Sequence, residues 1–385
     1  MTYLHKQLVK AARASEVRVG ESIEVEVDLA LAHDGTCPKL LKTWNPEERF
    51  FDGRKVVITV DHAFPAPTPE DRAFQKELKS FCQDQGCVLY SQGEGVLHQV
   101  VAERVSLWPG MIIAGADGHV ATSGAFGAIA FSLSPEGLAP VLKTGKLTIK
   151  VPEQVTVEVK GELKEGVLAR DAAFYLFEKI GYGLKGKAIG FAGSFFEGLS
   201  DAGRMTICNL MPEGGAVTAF VIPIGEGIGE INVSLDAGEV EPMVAVPPEP
   251  TAVKKVQEVA GTKINVAIAG GCSAGRLEDM EVIAEVLANE TIHPDVTFII
   301  TPASQKVARE MEEKGISLLL RDKGAIIMPP GCGPCPGKHF GVLAPGDVAI
   351  TTTIRNNPGR IGSNDASIYL ASPLTVAKAA VKGYI

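Results

Sequence analysis

The last third of the chain alternates short, β-branched apolar runs with helix-length segments, and this alternation constrains the fold more than any other feature. Runs at 263–269, 296–301, 325–328 and 348–353 read as strands, with helices over 276–288 and 304–314 between them. Strand–helix–strand order of this kind builds α/β layers on a largely parallel sheet. The reading extends upstream. The β-branched run 56–60 precedes a helical segment over 69–83, and 155–159 alternates as a half-exposed strand with Val and Glu on opposite faces. The Gly-rich stretch 181–198 reads as turns, and the Pro-rich stretch 245–251 as a linker. The 385 residues divide into α/β units over 1–150, 151–245 and 246–385.

Composition narrows the class. Hydrophobic residues at 45% and charged residues at 22% exclude a disordered or fibrous chain. A net charge of −9 disfavours a nucleic-acid surface. No apolar run approaches the roughly 18 residues of a membrane span, and the N-terminus has no signal-peptide core. A cytoplasmic protein with no nucleic-acid or membrane partner is expected. Its seven cysteines are an odd number in such a chain, so they are expected to be reduced, metal-bound or catalytic rather than a disulfide framework.

The chemistry gathers in loops that leave strand ends. Strand 263–269 runs into Gly-Gly-Cys-Ser-Ala-Gly-Arg (270–276), strand 325–328 into Pro-Pro-Gly-Cys-Gly-Pro-Cys-Pro-Gly (329–337), and strand 348–353 into Ile-Arg-Asn-Asn-Pro-Gly-Arg (354–360). Ligands of open α/β sheets bind outside the carboxyl ends of strands, so these loops can converge. Cys272, Cys332 and Cys335 would then form a three-thiolate site, suited to an iron–sulfur cluster or to zinc with His339 as a fourth ligand. The Cys332/Cys335 pair alone also reads as a redox or zinc pair. Three thiolates on a four-iron cluster leave one iron open, as a Lewis acid requires. Upstream, His33-Asp34, Asp61-His62, His98 and Asp117-Gly-His119 place histidines beside carboxylates near strand ends, an arrangement for proton transfer. Arg355 and Arg360 offer planar forks for carboxylates.

These ordered motifs resemble the large subunit of 3-isopropylmalate dehydratase and its relatives in the aconitase superfamily, the isopropylmalate isomerase, homoaconitase and dimethylmalate dehydratase branch. The resemblance runs from His33-Asp-Gly-Thr and Asp61-His through Gly93-Glu-Gly, Gly115-Ala-Asp, Gly124-Ala-Phe-Gly and Arg204-Met-Thr-Ile-Cys-Asn. It continues through Gly271-Cys, Gly331-Cys-Gly-Pro-Cys, Arg355-Asn, Gly359-Arg and Tyr369-Leu-Ala-Ser-Pro. It implies three α/β/α domains around a [4Fe–4S] cluster held by Cys272, Cys332 and Cys335, without the swivelling fourth domain. It further implies that Asp61 and His62 protonate the departing hydroxyl. His98 and Glu213 support the hydroxyl and the open iron, Asp117 and His119 line the pocket as a second acid pair, and Arg355, Arg360 and His33 face the substrate.

The reaction so implied is reversible dehydration of a hydroxy di- or tricarboxylic acid. The family's base is a serine on the absent domain, so a small partner subunit is expected to supply it. Where the family has Asp-Ser-His, Cys-Thr-Asn and a polar residue before Arg-Asn, this chain has Gly118, Ala274 and Ile354. These departures suit a malate derivative such as dimethylmalate or citramalate as well as isopropylmalate. They would also suit a non-catalytic, iron-sensing relative.

Overall fold

The computed structural model describes residues 1–338 and 340–385, and of Tyr182 the main chain alone. Three parallel-dominated sheets carry the chain. The first has the strand order Val88–Tyr90, Val56–Thr59, Leu29–His33, Ile112–Gly115 and Ile129–Ser132, parallel throughout. The second orders Thr218–Val221, Ala188–Ala192, Gln154–Lys160 and Val233–Asp236, again parallel. The third has seven strands. Val253–Lys255 and Met243–Ala245 form an antiparallel edge on Ser367–Ala371, followed by Val348–Thr351, Val266–Gly270, Thr297–Thr301 and Ile326–Ile327 in parallel.

Parallel strands need both faces covered, and the sequence supplies this. Leu29–His33 is buried at every position, as is Ala188–Ala192. Helices such as Pro69–Gln85, capped by Thr68, and Leu277–Ala288 follow the strands as crossovers. In the first sheet the chain moves outward from Leu29–His33 on one side and then, through Ile112–Gly115, on the other. In the third it does the same around Val266–Gly270 and Val348–Thr351. Each reversal opens a crevice at the carboxyl ends of the two central strands, where α/β sheets bind ligands.

Three local expectations are corrected. The strand Gln154–Lys160 is not half-exposed: it is paired on both sides, and Thr156 at 1% and Val157 at 0% exposure are both buried although adjacent. The stretch 181–198 is more than turns, because its glycines bracket the buried strand Ala188–Ala192 and a short helix, Ser194–Gly198. The prolines at 245–251 turn a hairpin between Met243–Ala245 and Val253–Lys255 inside the third sheet, and so do not link separate layers.

Candidate active site

The first sheet brings its histidines and carboxylates to one crevice. His33 ends one central strand, and Asp117 lies two residues past its neighbour, Ile112–Gly115. Across the strand-order reversal, His33 Nε2 lies 3.1 Å from Asp117 Oδ2. The Gly35 N–H donates to His33 Nδ1 at 3.0 Å, so a neutral His33 carries its proton on Nε2, facing Asp117. His33 also stacks on His62, with ring centroids 3.9 Å apart and planes 9° from parallel.

Asp61 and His62 follow the Val56–Thr59 strand. His62 Nδ1 and Asp61 Oδ1 are 2.7 Å apart, and the Leu97 N–H donates to Asp61 Oδ2 at 2.7 Å. Burial disfavours a charged His62, but Asp61 with Asp34 and Asp117 outweighs it and raises the imidazole to about 9. Burial opposes ionisation of Asp61 too, yet His62 and His33 draw it down to about 2. The pair is therefore an imidazolium–carboxylate dyad at neutral pH.

Asp117 is the hub of the remaining network. His98 Nε2 lies 2.8 Å from its Oδ1, and the His119 N–H donates to the same oxygen at 2.6 Å. Burial is again overcome by this surrounding of histidines, which holds the Asp117 carboxyl well below the usual range. The resemblance implied an Asp117–His119 acid pair. The His119 ring stands between two acids, with Nδ1 3.6 Å from Asp117 Oδ1 and Nε2 2.7 Å from Glu213 Oε1, while Asp117 also pairs by side chain with His33 and His98. Arg355 Nε donates to both Glu213 oxygens at 2.9 Å. A Cβ at Gly118 would stand 3.1 Å from Arg355 Nη2, so glycine leaves that edge of the guanidinium its space.

The thiols arrive from the third sheet. Gly270 ends its strand with φ +124°, and a Cβ there would sit 1.9 Å from the Thr301 carbonyl, so only glycine lets the chain turn into Cys272. Cys332 follows the short strand Ile326–Ile327, and its N–H donates to the Asp61 carbonyl at 3.1 Å. Its Sγ lies 3.7 Å from His62 Nδ1. Val96 and Ala303 pack with Cys272 and Cys332 in one small cluster, which joins a first-sheet loop to the thiol loops.

Among the described residues, the sets of three or more ligand atoms within 4.8 Å of one another are His33, Asp34, Asp61 and His62, and His98, Asp117 and His119; the three thiols are not one of them. A tetrahedral zinc at about 2.3 Å would hold its sulfurs only about 4 Å apart. Three thiols not drawn into such a set leave room for a larger, multi-iron group. Polar atoms around the sulfurs agree. Asn209 Nδ2 donates to Cys272 Sγ at 3.6 Å and Arg360 Nη2 to Cys335 Sγ at 3.5 Å. Asn209 Oδ1 and Arg360 Nε are buried with no partner among the described residues. Burial, with Cys335 and Asp117, pushes the Cys272 thiol up to about 12, so its thiolate needs a bound cation. His339, the candidate fourth zinc ligand, lies outside the described residues.

Several residues of the site escaped sequence reasoning. Asp34 is 4% exposed and accepts from the main-chain N–H groups of Asp61, His62 and Ala63, fixing the turn that presents the dyad. Its place beside His33 was the only sequence signal. Arg170 reaches the thiol loops from a segment far away in sequence, and no local pattern marks it; Asn209 and Arg276 lie inside the motifs 204–209 and 270–276, whose spacing says nothing of their part at the thiols.

Comparison with known proteins follows from this geometry. The profile described as Aconitase family (aconitate hydratase) matches residues 6–226 and 230–383. A probable methanogen homoaconitase large subunit of Methanothermobacter thermautotrophicus is 38% identical, covering 100% of this chain and 97% of its own length. The 3-isopropylmalate dehydratase large subunit 2 of Methanopyrus kandleri is 40% identical over 95% of this chain and 94% of its own. The corresponding large subunit of Thermococcus kodakarensis is 40% identical over 96% of each. Among solved structures, that of Thermococcus kodakaraensis aconitase X (holo-form) superposes with a TM-score of 0.54 at 14% identity, covering 91% of this chain and 89% of that one, a likeness of fold.

Proposed function

The chain belongs to the aconitase family, and on that premise we propose that it is the large subunit of a [4Fe–4S] hydro-lyase that reversibly dehydrates a hydroxy di- or tricarboxylic acid, in the manner of 3-isopropylmalate dehydratase. The observation that carries the reading is the meeting of two sets from different sheets. Cys332 Sγ stands 3.7 Å from the imidazole of the Asp61–His62 dyad. The three sheets are taken as the cores of three domains, 1–150, 151–245 and 246–385, with the strand Met243–Ala245 crossing from the second domain's range into the third sheet. Seven free cysteines suit a reducing cytoplasm.

Cys272, Cys332 and Cys335 would hold the cluster, which when bound supplies an iron without a protein ligand as a Lewis acid for the substrate hydroxyl. His62 remains protonated at neutral pH because Asp61 stabilises its charge, and it delivers that proton to the hydroxyl as it leaves. His33 stacks on His62 and bonds to Asp117, which limits how the acid can turn. Glu213 orients Arg355 through both oxygens, and Arg355 and Arg360 bind substrate carboxylate. His98 and His119 hold Asp117 and Glu213 ionised along the pocket wall.

The carbon proton needs a base. We assign it to a small subunit, in keeping with the words "large subunit" in the relatives' names. Closure of that subunit over the crevice would exclude water and strengthen the charge interactions inside it. A second reading is a malate derivative such as dimethylmalate or citramalate, because the family's serine hydroxyl is missing at Gly118, where even a Cβ would stand 3.1 Å from Arg355 Nη2.

The test is to co-express the chain with candidate small subunits, reconstitute it anaerobically and screen hydroxy-diacids for formation of the unsaturated acid. Turnover on one of them only when both subunits are present is expected. Failure of every pair across the panel, with iron fully loaded, would favour the non-catalytic relative.

A further inference from the structure

Two arginines lie buried behind the thiol loops with no carboxylate in ion-pair contact among the described residues. Arg170 is 1% exposed and Arg276 4%. Among the described residues, neither guanidinium has an Asp or Glu oxygen within 4.0 Å. Their partners are neutral. Arg170 Nη1 donates to Ser273 Oγ at 2.8 Å and Nη2 to the Thr353 carbonyl, while Nε has no acceptor among the described residues. Arg276 Nη2 donates to the Cys272 carbonyl at 2.7 Å, Nη1 to Thr206 Oγ1 and the Ser273 carbonyl, and Nε to Gln99 Oε1.

The nearest acids are occupied elsewhere. Asp171 accepts the N–H groups of Leu168 and Met243 at 2.9 Å, and Asp279 accepts that of Arg276 at 2.9 Å. Burial raises both carboxyls to about 6, so at neutral pH they answer the guanidinium charges, but only from beyond ion-pair distance. A buried charge is tolerated when something of opposite sign answers it. Beyond these two acids, the groups that answer Arg170 are Cys272 and Cys335, while Arg276 is answered by Cys272, Glu278 and Glu103. Both cations thus border a site that becomes anionic when three thiols give up their protons.

We propose that Arg170 and Arg276 are positioning residues forming a cationic back wall, whose charge, more than its hydrogen bonds, holds the deprotonated thiol loops in place for the cluster. The inference rests on the reading of the three thiols as cluster ligands. Arg170 ties the Cys272 loop to the loop before Arg355, and Arg276 holds the Cys272 carbonyl. One charged wall therefore braces the cluster loop and the substrate-facing arginine loop together.

Arg170→Met removes the charge and keeps bulk; Arg170→Lys keeps the charge and gives up at least one bond. Each is reconstituted anaerobically beside wild type, with circular dichroism to confirm folding. Iron retention against a chelator and the midpoint potential from an EPR-monitored titration are then read. Met is expected to weaken iron retention by about 10–100-fold, the usual effect of losing an outer-shell partner, and to shift the potential downward. Lys is expected to stay close to wild type in both. A folded Met variant with wild-type retention and potential overturns the proposal, and so does a Lys variant as impaired as Met. If Met does not fold, Lys decides alone: wild-type retention and potential support the charged wall, and loss of both overturns it. Wild type that takes up no iron would instead overturn the cluster reading, and the wall with it.

Discussion

Asp34→Ala removes the carboxylate that shapes the turn carrying the Asp61–His62 dyad. Its Oδ1 accepts from the N–H groups of Asp61 at 3.1 Å and His62 at 2.9 Å, and its Oδ2 from that of Ala63 at 2.9 Å. Asp34 and Ala63 are each 4% exposed and Asp61 1%, so solvent reaches these donors poorly. A buried donor left without an acceptor costs about 1–3 kcal/mol, so three give roughly 3–9 kcal/mol before any relaxation. Water entering the vacated space offsets part of this, leaving a loss of about 3–5 kcal/mol. Asp34→Asn keeps one acceptor and turns an NH2 group toward another donor, for a loss of about 1–3 kcal/mol. Urea denaturation of the iron-free variants measures both, with equal slopes confirming that the comparison is valid. Displacing the dyad by about 1 Å should also lower turnover of the reconstituted enzyme by about 10²-fold. An Asp34→Ala variant within about 1 kcal/mol of wild type would show that something else holds the turn.

His62→Ala, assayed with iron intact, should lower turnover by about 10²–10⁴-fold, the worth of a positioned acid; a loss below tenfold assigns the proton to another group. Asp171 tests burial through pH. Its folded value of about 6 lies above the ordinary 3.8, so its contribution is full below that ordinary value and lost as pH rises through about 6. Asp171→Asn cannot titrate, so wild-type stability relative to the variant should fall by about 3 kcal/mol between about pH 4 and 7 in urea melts. A difference that does not change with pH contradicts burial as the cause of the shift.

Much of the fold was legible because strands and helices announce themselves over short windows. The run read as 263–269 forms the strand Val266–Gly270, and 276–288 the helix Leu277–Ala288. The misreadings share a cause. Ala188–Ala192 is a central strand with a glycine at 190, and its β character comes from neighbours at 154–160 and 218–221. The hairpin at 245–253 looked like a linker because its prolines mark a turn without saying what lies on either side. In the site, the Asp61–His62 dyad was readable because its members are adjacent. Asp117 does pair with its sequence neighbour His119, but its closer side-chain partners are His98, 19 residues away, and His33. Arg170 meets Ser273 across 103 residues and Thr353 across 183, separations that only the assembled sheets close.

Iron and sulfide content of the anaerobically reconstituted chain tests the three-thiol centre most directly. About four of each per chain are expected in wild type and in the Cys37→Ser, Cys82→Ser, Cys87→Ser and Cys208→Ser variants. Cys272→Ser, Cys332→Ser and Cys335→Ser should each lose the cluster, because a serine oxygen holds iron poorly beside thiolate. One zinc per chain in wild type, or full iron in any one of the three site variants, would contradict it.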